Sequence, residues 1–168
     1  MRKMTSRATY VAETIDDVRR MFQAVNEFSK KAEKETGLTG PQLWALKTIA
    51  EAKSLRVSEL AKKMYLHPAT VVGIIDRLES QQLVQRIRST TDRRVVDVVL
   101  TPTGETTFRS APDVAQDLLV KGLEKISDKK LLTIHEGMAE FVKILGVTGA
   151  PPRLILSNEI NTPATGKK

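Results

Sequence analysis

Two short segments rich in β-branched residues, 83–88 and 95–100, constrain the fold of this chain more than any other feature. They are separated by Ser-Thr-Thr-Asp-Arg-Arg, a polar and basic stretch. Two such segments joined by a short polar connection predict a β-hairpin with a basic tip. The long periodic stretches elsewhere have helical spacing, so the sequence predicts a mainly α-helical fold that carries one small β-hairpin.

The helical stretches begin and end at capping or breaking residues. Apolar side chains recur every three or four residues over 9–35, and Gly37 stops that helix. A second helix is predicted at 38–51, with Thr39 as its N-cap and Pro41 in its first turn. Further helices are predicted at 58–64, from Pro68 to about Gln81, from Thr101 through Ile126, and from Ser127 to Leu145.

The order helix, helix, tight turn, helix, basic hairpin is that of a winged helix-turn-helix. In this fold the helix that begins at Pro68 enters the major groove of DNA, and its leading end needs small or polar side chains that reach base edges. Val71 or Val72, with Ile75 and Leu78, would hold this recognition helix to the core. The predicted DNA-contacting residues of the recognition helix are His67, Pro68, Ala69, Thr70, Val72, Gly73 and Arg77.

Positive charge is concentrated in the same part of the chain. The protein has 168 residues, with 27 lysines and arginines against 20 aspartates and glutamates, which gives a formal net charge of +7. Eight basic and four acidic side chains lie between Arg56 and Arg94. This excess suits a polyanionic partner such as nucleic acid, and double-stranded DNA is the predicted one. The predicted DNA contacts of the hairpin, the wing, are Arg88, Asp92, Arg93 and Arg94.

The composition argues against several functional classes. The chain has no cysteine, which excludes disulfides, thiolate metal sites and cysteine nucleophiles. With only two histidines, His67 and His135, a histidine-rich metal site is not expected, and His135 is interpreted as a core or edge residue. The sequence has no motif that pairs a catalytic nucleophile with a general base, no paired-carboxylate motif and no phosphate-binding loop. We therefore predict no enzymatic activity, cofactor or metal. No apolar run approaches the roughly 18 residues of a spanning helix, so a cytoplasmic protein without membrane contact is expected.

Three motifs occur in a characteristic order: Asp-Arg-Leu-Glu at 76–79, Asp-Arg-Arg at 92–94 and Leu-Thr-Pro-x-Gly at 100–104. With these motifs, residues 38–105 resemble the MarR family of bacterial transcriptional regulators. The sequence departs from the family at Gln82, where a glycine commonly follows the recognition helix, so this turn needs another cap. The lack of cysteine also removes the oxidation-sensing branch of the family.

The resemblance implies a homodimer in which the first and the last two helices of each chain interleave. Each winged domain would then read one half of a pseudo-palindromic operator. The resemblance also implies that Asp92 braces the wing loop through an arginine and that Arg94 is the minor-groove finger. The chain is therefore predicted to divide into dimerisation helices at 9–37 and 101–146, a DNA-binding domain at 38–100, and a flexible or peripherally docked tail at 147–168.

Regulation by a small molecule is implied as well, because many family members release DNA when a small aromatic or phenolic, often anionic, effector binds. Trp44, Leu46 and Met64 provide the predicted apolar wall for such an effector, and Arg86 the anchor for its carboxylate. The residue types leave alternatives open. Arg86 could also contact a phosphate or form a salt bridge. Trp44 could belong to the core, and His67 could cap a helix. The sequence therefore predicts a repressor released by an effector, or alternatively a constitutive or architectural DNA-binding protein without one.

Overall fold

The computed structural model describes residues 6–88, 96–149 and 152–154. Three short strands form one antiparallel sheet in the order β1-β3-β2, and helices surround it. The elements are α1 (Arg7–Thr36), α2 (Gly40–Ala52), β1 (Leu55–Arg56), α3 (Val57–Lys63), α4 (Pro68–Ser80), β2 (Val84–Arg88), β3 (Val96–Leu100), α5 (Pro102–Arg109), α6 (Ala115–Leu123) and α7 (Asp128–Ile144).

Helix α1 is a long arm with little of its surface buried. The Ser6 hydroxyl caps its start by accepting from the Thr9 N–H, and Gly37 ends it with φ 70° and an N–H bond to the Glu33 carbonyl. The predicted helix over 9–35 and its stop at Gly37 are confirmed. Only Ala32 of the helix is buried, so the remaining apolar side chains of α1 are left at least partly exposed.

The core is centred on α2, where the helix is almost entirely enclosed by its neighbours. Leu43, Leu46 and Ile49 are fully buried, and the Gln42 side chain closes the first turn by accepting from the Thr39 N–H. Helices α3 and α4 and the sheet pack against α2 and close the same apolar cluster. The inner face of α4 is therefore held in place by its packing against α2.

The predicted hairpin strands are confirmed as β2 and β3, with Val84 opposite Leu100 and Arg88 opposite Val96. A third strand, β1, adds to the free side of β3 through Leu55 opposite Val98. The sequence indicated no strand at 55–56, because a two-residue strand is too short for an alternating pattern. The tip of the hairpin, with Asp92, Arg93 and Arg94, lies outside the described residues.

The prediction of one continuous helix from Thr101 through Ile126 is wrong. Helix α5 ends at Arg109, and α6 starts only at Ala115. Pro112 explains the break, because it lacks an N–H and disfavours helical backbone at the residue before it. The Lys47 ammonium donates to the Pro112 carbonyl at 3.1 Å, which holds the interruption against α2. Leu118 and Leu119 therefore belong to a separate short helix.

The turn after α4 has no glycine and closes through Gln82 itself, which takes a left-handed backbone with φ 58°. The Gln82 N–H bonds to the Glu79 carbonyl, and the Leu83 N–H bonds to the Leu78 carbonyl, each at 2.9 Å. The Thr101 hydroxyl donates to the Gln82 carbonyl at 2.6 Å. A tertiary hydrogen bond thus helps to replace the cap that a glycine would provide.

Candidate nucleic-acid interface

The turn between α3 and α4 sets the direction of α4. Tyr65 adopts a left-handed backbone with φ 52°, and the Leu66 N–H bonds back to the Ala61 carbonyl at 2.9 Å. His67 then occupies the N-cap position in extended backbone, and Pro68 takes the first position of α4. Proline is well suited there because its missing N–H would have no intrahelical partner.

Helix α4 has one buried and one exposed face. Val71, Ile74, Ile75 and Leu78 are fully buried, whereas Val72 is 41% exposed, so Val71 is the core residue of the two candidates. All seven recognition-helix residues predicted from the sequence lie on the exposed or half-exposed side. Those seven are the exposed Pro68, Ala69, Val72 and Arg77 and the half-exposed His67, Thr70 and Gly73.

Arg86 on β2 fastens α4 to the sheet. Its guanidinium donates to Asp76 Oδ1 at 2.6 Å and to a carboxylate oxygen of Glu79. Glu79 also accepts from the backbone N–H of Arg86 at 3.1 Å, so this carboxylate binds both the main chain and the side chain of Arg86. Of the three interpretations of Arg86, the structure favours the salt-bridge partner. We call this three-residue cluster the Arg86 brace.

The brace alters the ionisation of Arg86. Desolvation is the largest single influence and lowers its pKa, but hydrogen bonds to and charges on Asp76 and Glu79 together leave the pKa above its ordinary value. The guanidinium is therefore charged and already neutralised by two carboxylates. This arrangement leaves it poorly suited to bind a phosphate or a ligand carboxylate.

Replacing Arg86 by methionine is expected to lower the free energy of unfolding by about 1 kcal/mol, because Asp76 and Glu79 lose their shared partner. Chemical denaturation measures this change. The matched control is Arg88→Met, which removes an exposed cation from the same strand and should leave stability unchanged. Adding Glu79→Met to the Arg86 variant should recover part of the loss, and an equal loss in both single arginine variants would contradict the brace.

Polar contacts that sequence reasoning missed tie α6 and the adjacent Glu124 to α2 and to the turn between α3 and α4. The Tyr65 hydroxyl donates to Glu124 at 2.9 Å, and Lys121 donates to Glu51 and Asp117 at 2.8 and 2.9 Å. The Glu124 hydrogen bond, followed by its charge, raises the pKa of Tyr65. The hydrogen bond to Glu51 is the main reason for the raised pKa of Lys121. Most of these pairs join residues far apart in sequence, and no local pattern identifies them.

Most residues of the predicted effector wall are buried, and Arg86 is engaged in ion pairs. Leu46 and Met64 are fully buried members of the core, Trp44 is 6% exposed, and Arg86 is held in the brace. Helical spacing places Leu46 and Met64 towards the core, and their role in binding an effector stays a prediction. A cavity of about 370 Å³ lies elsewhere, between α2, the end of β3 and α5. Its lining residues are Ala50, Lys53, Leu100, Glu105, Phe108 and Arg109.

An apolar groove of about 530 Å³ runs between α1 and α7. Its walls include Val18, Met21 and Phe22 from α1 and Met138 and Phe141 from α7. Phe22 is 68% exposed, and no residue of α7 is buried. Two amphipathic helices therefore face each other across a surface that the described part of the chain does not cover.

Two features of the described part of the chain bear on metal binding and on membrane spanning: the grouping of its metal-ligating side chains and the character of its helices. No group of three or more metal-ligating side chains occurs there. None of the helices in residues 6–88 and 96–149 is both long and apolar enough to span a membrane.

Comparison with known proteins agrees with this geometry. The family model described as MarR family matches residues 38–96. The transcriptional repressor MdtR of Bacillus subtilis is 30% identical over 112 residues, covering 67% of this chain and 72% of its own. The chain belongs to the MarR family. The regulator YsmB of the same organism is 27% identical over 136 residues and covers 80% of this chain and 93% of its own.

Solved structures share the fold. YusO of Bacillus subtilis is 26% identical with a TM-score of 0.52, covering 83% of this chain and 99% of its own. A MarR family protein from Bacillus stearothermophilus is 27% identical with a TM-score of 0.51, covering 84% and 99%. Membership identifies this chain as a DNA-binding transcriptional regulator with a winged helix-turn-helix.

Proposed function

We propose that this MarR-family chain is a repressor that binds a pseudo-palindromic operator as a homodimer. The proposal rests on the observation that contacts on two sides hold α4 in place. Its inner face is buried in the core, and the Arg86 brace holds its flank to β2. The opposite face, with Pro68, Ala69 and Val72, is exposed and positioned by rigid supports, as a major-groove reader requires. Repression is supported by the resemblance to MdtR, whose name states that role.

The dimer rests on the groove between α1 and α7. Its walls are almost entirely apolar, and large exposed apolar patches usually mark an interface. A second copy of the chain fits the proposal because two-fold association places two α4 helices on one duplex. On this basis the first and last helices form the dimerisation surface, and each winged domain reads one half-site.

Operator binding is expected to depend steeply on salt, because lysines and arginines displace counterions from phosphates. If a dimer neutralises about 6–10 phosphates, affinity falls by about 10³–10⁵ between roughly 50 and 200 mM salt. Fluorescence anisotropy with a labelled duplex measures the slope of the logarithm of the binding constant against the logarithm of the salt concentration. Arg94→Ala is expected to weaken binding to every sequence and to lower the slope by about one for each phosphate that is no longer neutralised. A slope near zero would contradict the proposal.

We further propose that a small aromatic or phenolic anion releases the operator. The cavity between α2, β3 and α5 supports this proposal because Phe108 offers an aromatic surface while Lys53 and Arg109 offer positive charge. Such an effector must bind the DNA-free form more tightly than the complex, since otherwise it cannot shift the equilibrium.

Titration of salicylate into the free protein and into its operator complex tests this regulation. We expect a higher melting temperature for the free protein and release of the duplex, both reduced in Phe108→Ala. Benzyl alcohol, which lacks the carboxylate, is the control ligand and should have a weaker effect. If salicylate and simple phenols change neither quantity, the protein is a constitutive DNA-binding protein.

A further inference from the structure

The exposed face of α4 has an apolar stripe that no contact within the described chain explains. Ala69 and Val72 lie three positions apart on the same side of the helix, with Gly73 beside them. Val72 is 41% exposed, although an isolated chain gains nothing from displaying a valine on a helix surface. Contact with an apolar group of another molecule would remove this surface from water and be favourable.

The polar residues of α4 differ from this stripe because they are already engaged. His67, Thr70 and Arg77 each take part in an interaction within the protein. They would have to exchange or share that partner in order to bind a base. Asp76, next along the exposed face, is held by Arg86 at 2.6 Å. Ala69 and Val72 can reach a base without giving up any hydrogen bond.

Gly73 provides a second, independent observation. It lies in the interior of α4, where glycine destabilises a helix relative to alanine, and its φ is not positive. A Cβ atom built on Gly73 meets nothing within 4 Å. Neither backbone conformation nor packing therefore requires glycine here. The missing side chain leaves space on the outer side of the helix that no described residue fills.

We propose that Ala69 and Val72 read thymine methyl groups in the major groove, and that Gly73 allows the α4 backbone to approach the bases closely. The 5-methyl group of thymine is the apolar group that the major groove displays, and alanine and other small apolar side chains contact it. The inference rests on the proposed operator binding and specifies its base preference. Each half-site then contains one or two thymines facing this stripe.

Uracil substitution tests the inference directly, because uracil lacks only the 5-methyl group and keeps every hydrogen-bonding group of thymine. The probe is the tightest-binding duplex selected from a random pool with the wild-type protein. We expect about a four-fold loss of affinity for each critical thymine replaced by uracil, the value of one buried methyl group. The Val72→Ala variant, which loses two methyl groups, should bind the thymine duplex more weakly and should show a smaller uracil penalty at the position that Val72 contacts.

Gly73→Ala separates stability from recognition. Alanine is the better helix former, so the melting temperature should rise by about 2–4 °C. Affinity for the selected duplex should nevertheless fall by about ten-fold or more, the value of one base pair that is no longer recognised. The matched control is Gly122→Ala in α6, where a Cβ also meets nothing within 4 Å. This control should stabilise the protein similarly and leave DNA affinity unchanged.

Two results would overturn the inference while leaving operator binding intact. One is a selected duplex that binds tightly but changes less than about two-fold when any thymine becomes uracil, well below the value of one methyl group. The other is a Val72→Ala variant that keeps the full uracil penalty at every position. If no duplex is enriched from the pool, operator binding itself fails, and the inference fails with it.

Discussion

Replacing Gly104 by alanine is expected to lower the free energy of unfolding by about 3 kcal/mol, a loss at the upper end for an overpacked core site. Gly104 is buried in the first turn of α5, in the Leu-Thr-Pro-x-Gly motif. A Cβ atom there would lie far inside van der Waals contact with the Leu83 carbonyl oxygen and 3.3 Å from Leu100 Cγ. Backbone must move to accommodate it.

The Leu83 carbonyl cannot move without further loss. It accepts from the Thr101 N–H at 3.0 Å, and the Thr101 hydroxyl in turn accepts from the Gly104 N–H at 3.0 Å. Displacement would break the cap of α5 together with the junction between α4 and the sheet. The motif's glycine is thus explained by a close approach of two backbone segments.

Thermal and chemical denaturation measure the effect, and for a chain of this size 3 kcal/mol corresponds to a fall of about 10 °C in melting temperature. Gly122→Ala is the control, because it adds the same methyl group to a helix in open space. A Gly104→Ala variant as stable as the parent would show that the packing between Leu83 and α5 is looser than described.

Replacing Phe22 by aspartate is expected to give monomers and to reduce operator affinity by about 10²–10⁴, because two half-sites are then bound independently. Phe22 lines the apolar groove between α1 and α7 and is 68% exposed in a single chain. A carboxylate buried there by a second copy would lack a partner, and an unpaired buried charge is strongly unfavourable.

Light scattering measures the first part of this expectation. The wild-type protein should have about twice the 18.7 kDa mass of one chain, and the Phe22→Asp variant a mass near that of one chain. Phe22→Leu is the matched control, since it retains an apolar side chain and should remain dimeric and bind DNA. Circular dichroism of the aspartate variant checks that its helices persist. A dimeric Phe22→Asp variant would place the subunit interface elsewhere.

Much of the fold could be predicted from the sequence because its signals are local. Capping residues and helical periodicity predicted α1, α2 and α4, and β-branched content predicted β2 and β3. The exposed face of α4 followed from the same periodicity. The prediction of Val72 as an outward-facing residue agrees with the structure, in which Val71 is buried and Val72 is exposed.

The remaining features of the fold and site depend on contacts between residues far apart in sequence, or on backbone restrictions that the pattern of apolar residues does not show. Periodicity continued past Pro112 and predicted one helix, whereas the local restriction of proline separates α5 from α6. The residue type of Arg86 suits a phosphate, a ligand or a carboxylate, and only the fold brings Asp76 and Glu79 to it. The structure places Leu46 and Met64 in the core, because apolar residue type alone does not distinguish a pocket from a core, and the effector site itself stays a prediction.

The most direct test of the central claim is selection of duplexes from a random pool by the purified wild-type protein, with the mass of the resulting complex measured by analytical ultracentrifugation. The account predicts an inverted repeat with half-site centres about 10 bp apart, or a multiple of this, and two chains on each duplex. Absence of any enriched sequence, or a single half-site occupied by one chain, would contradict it.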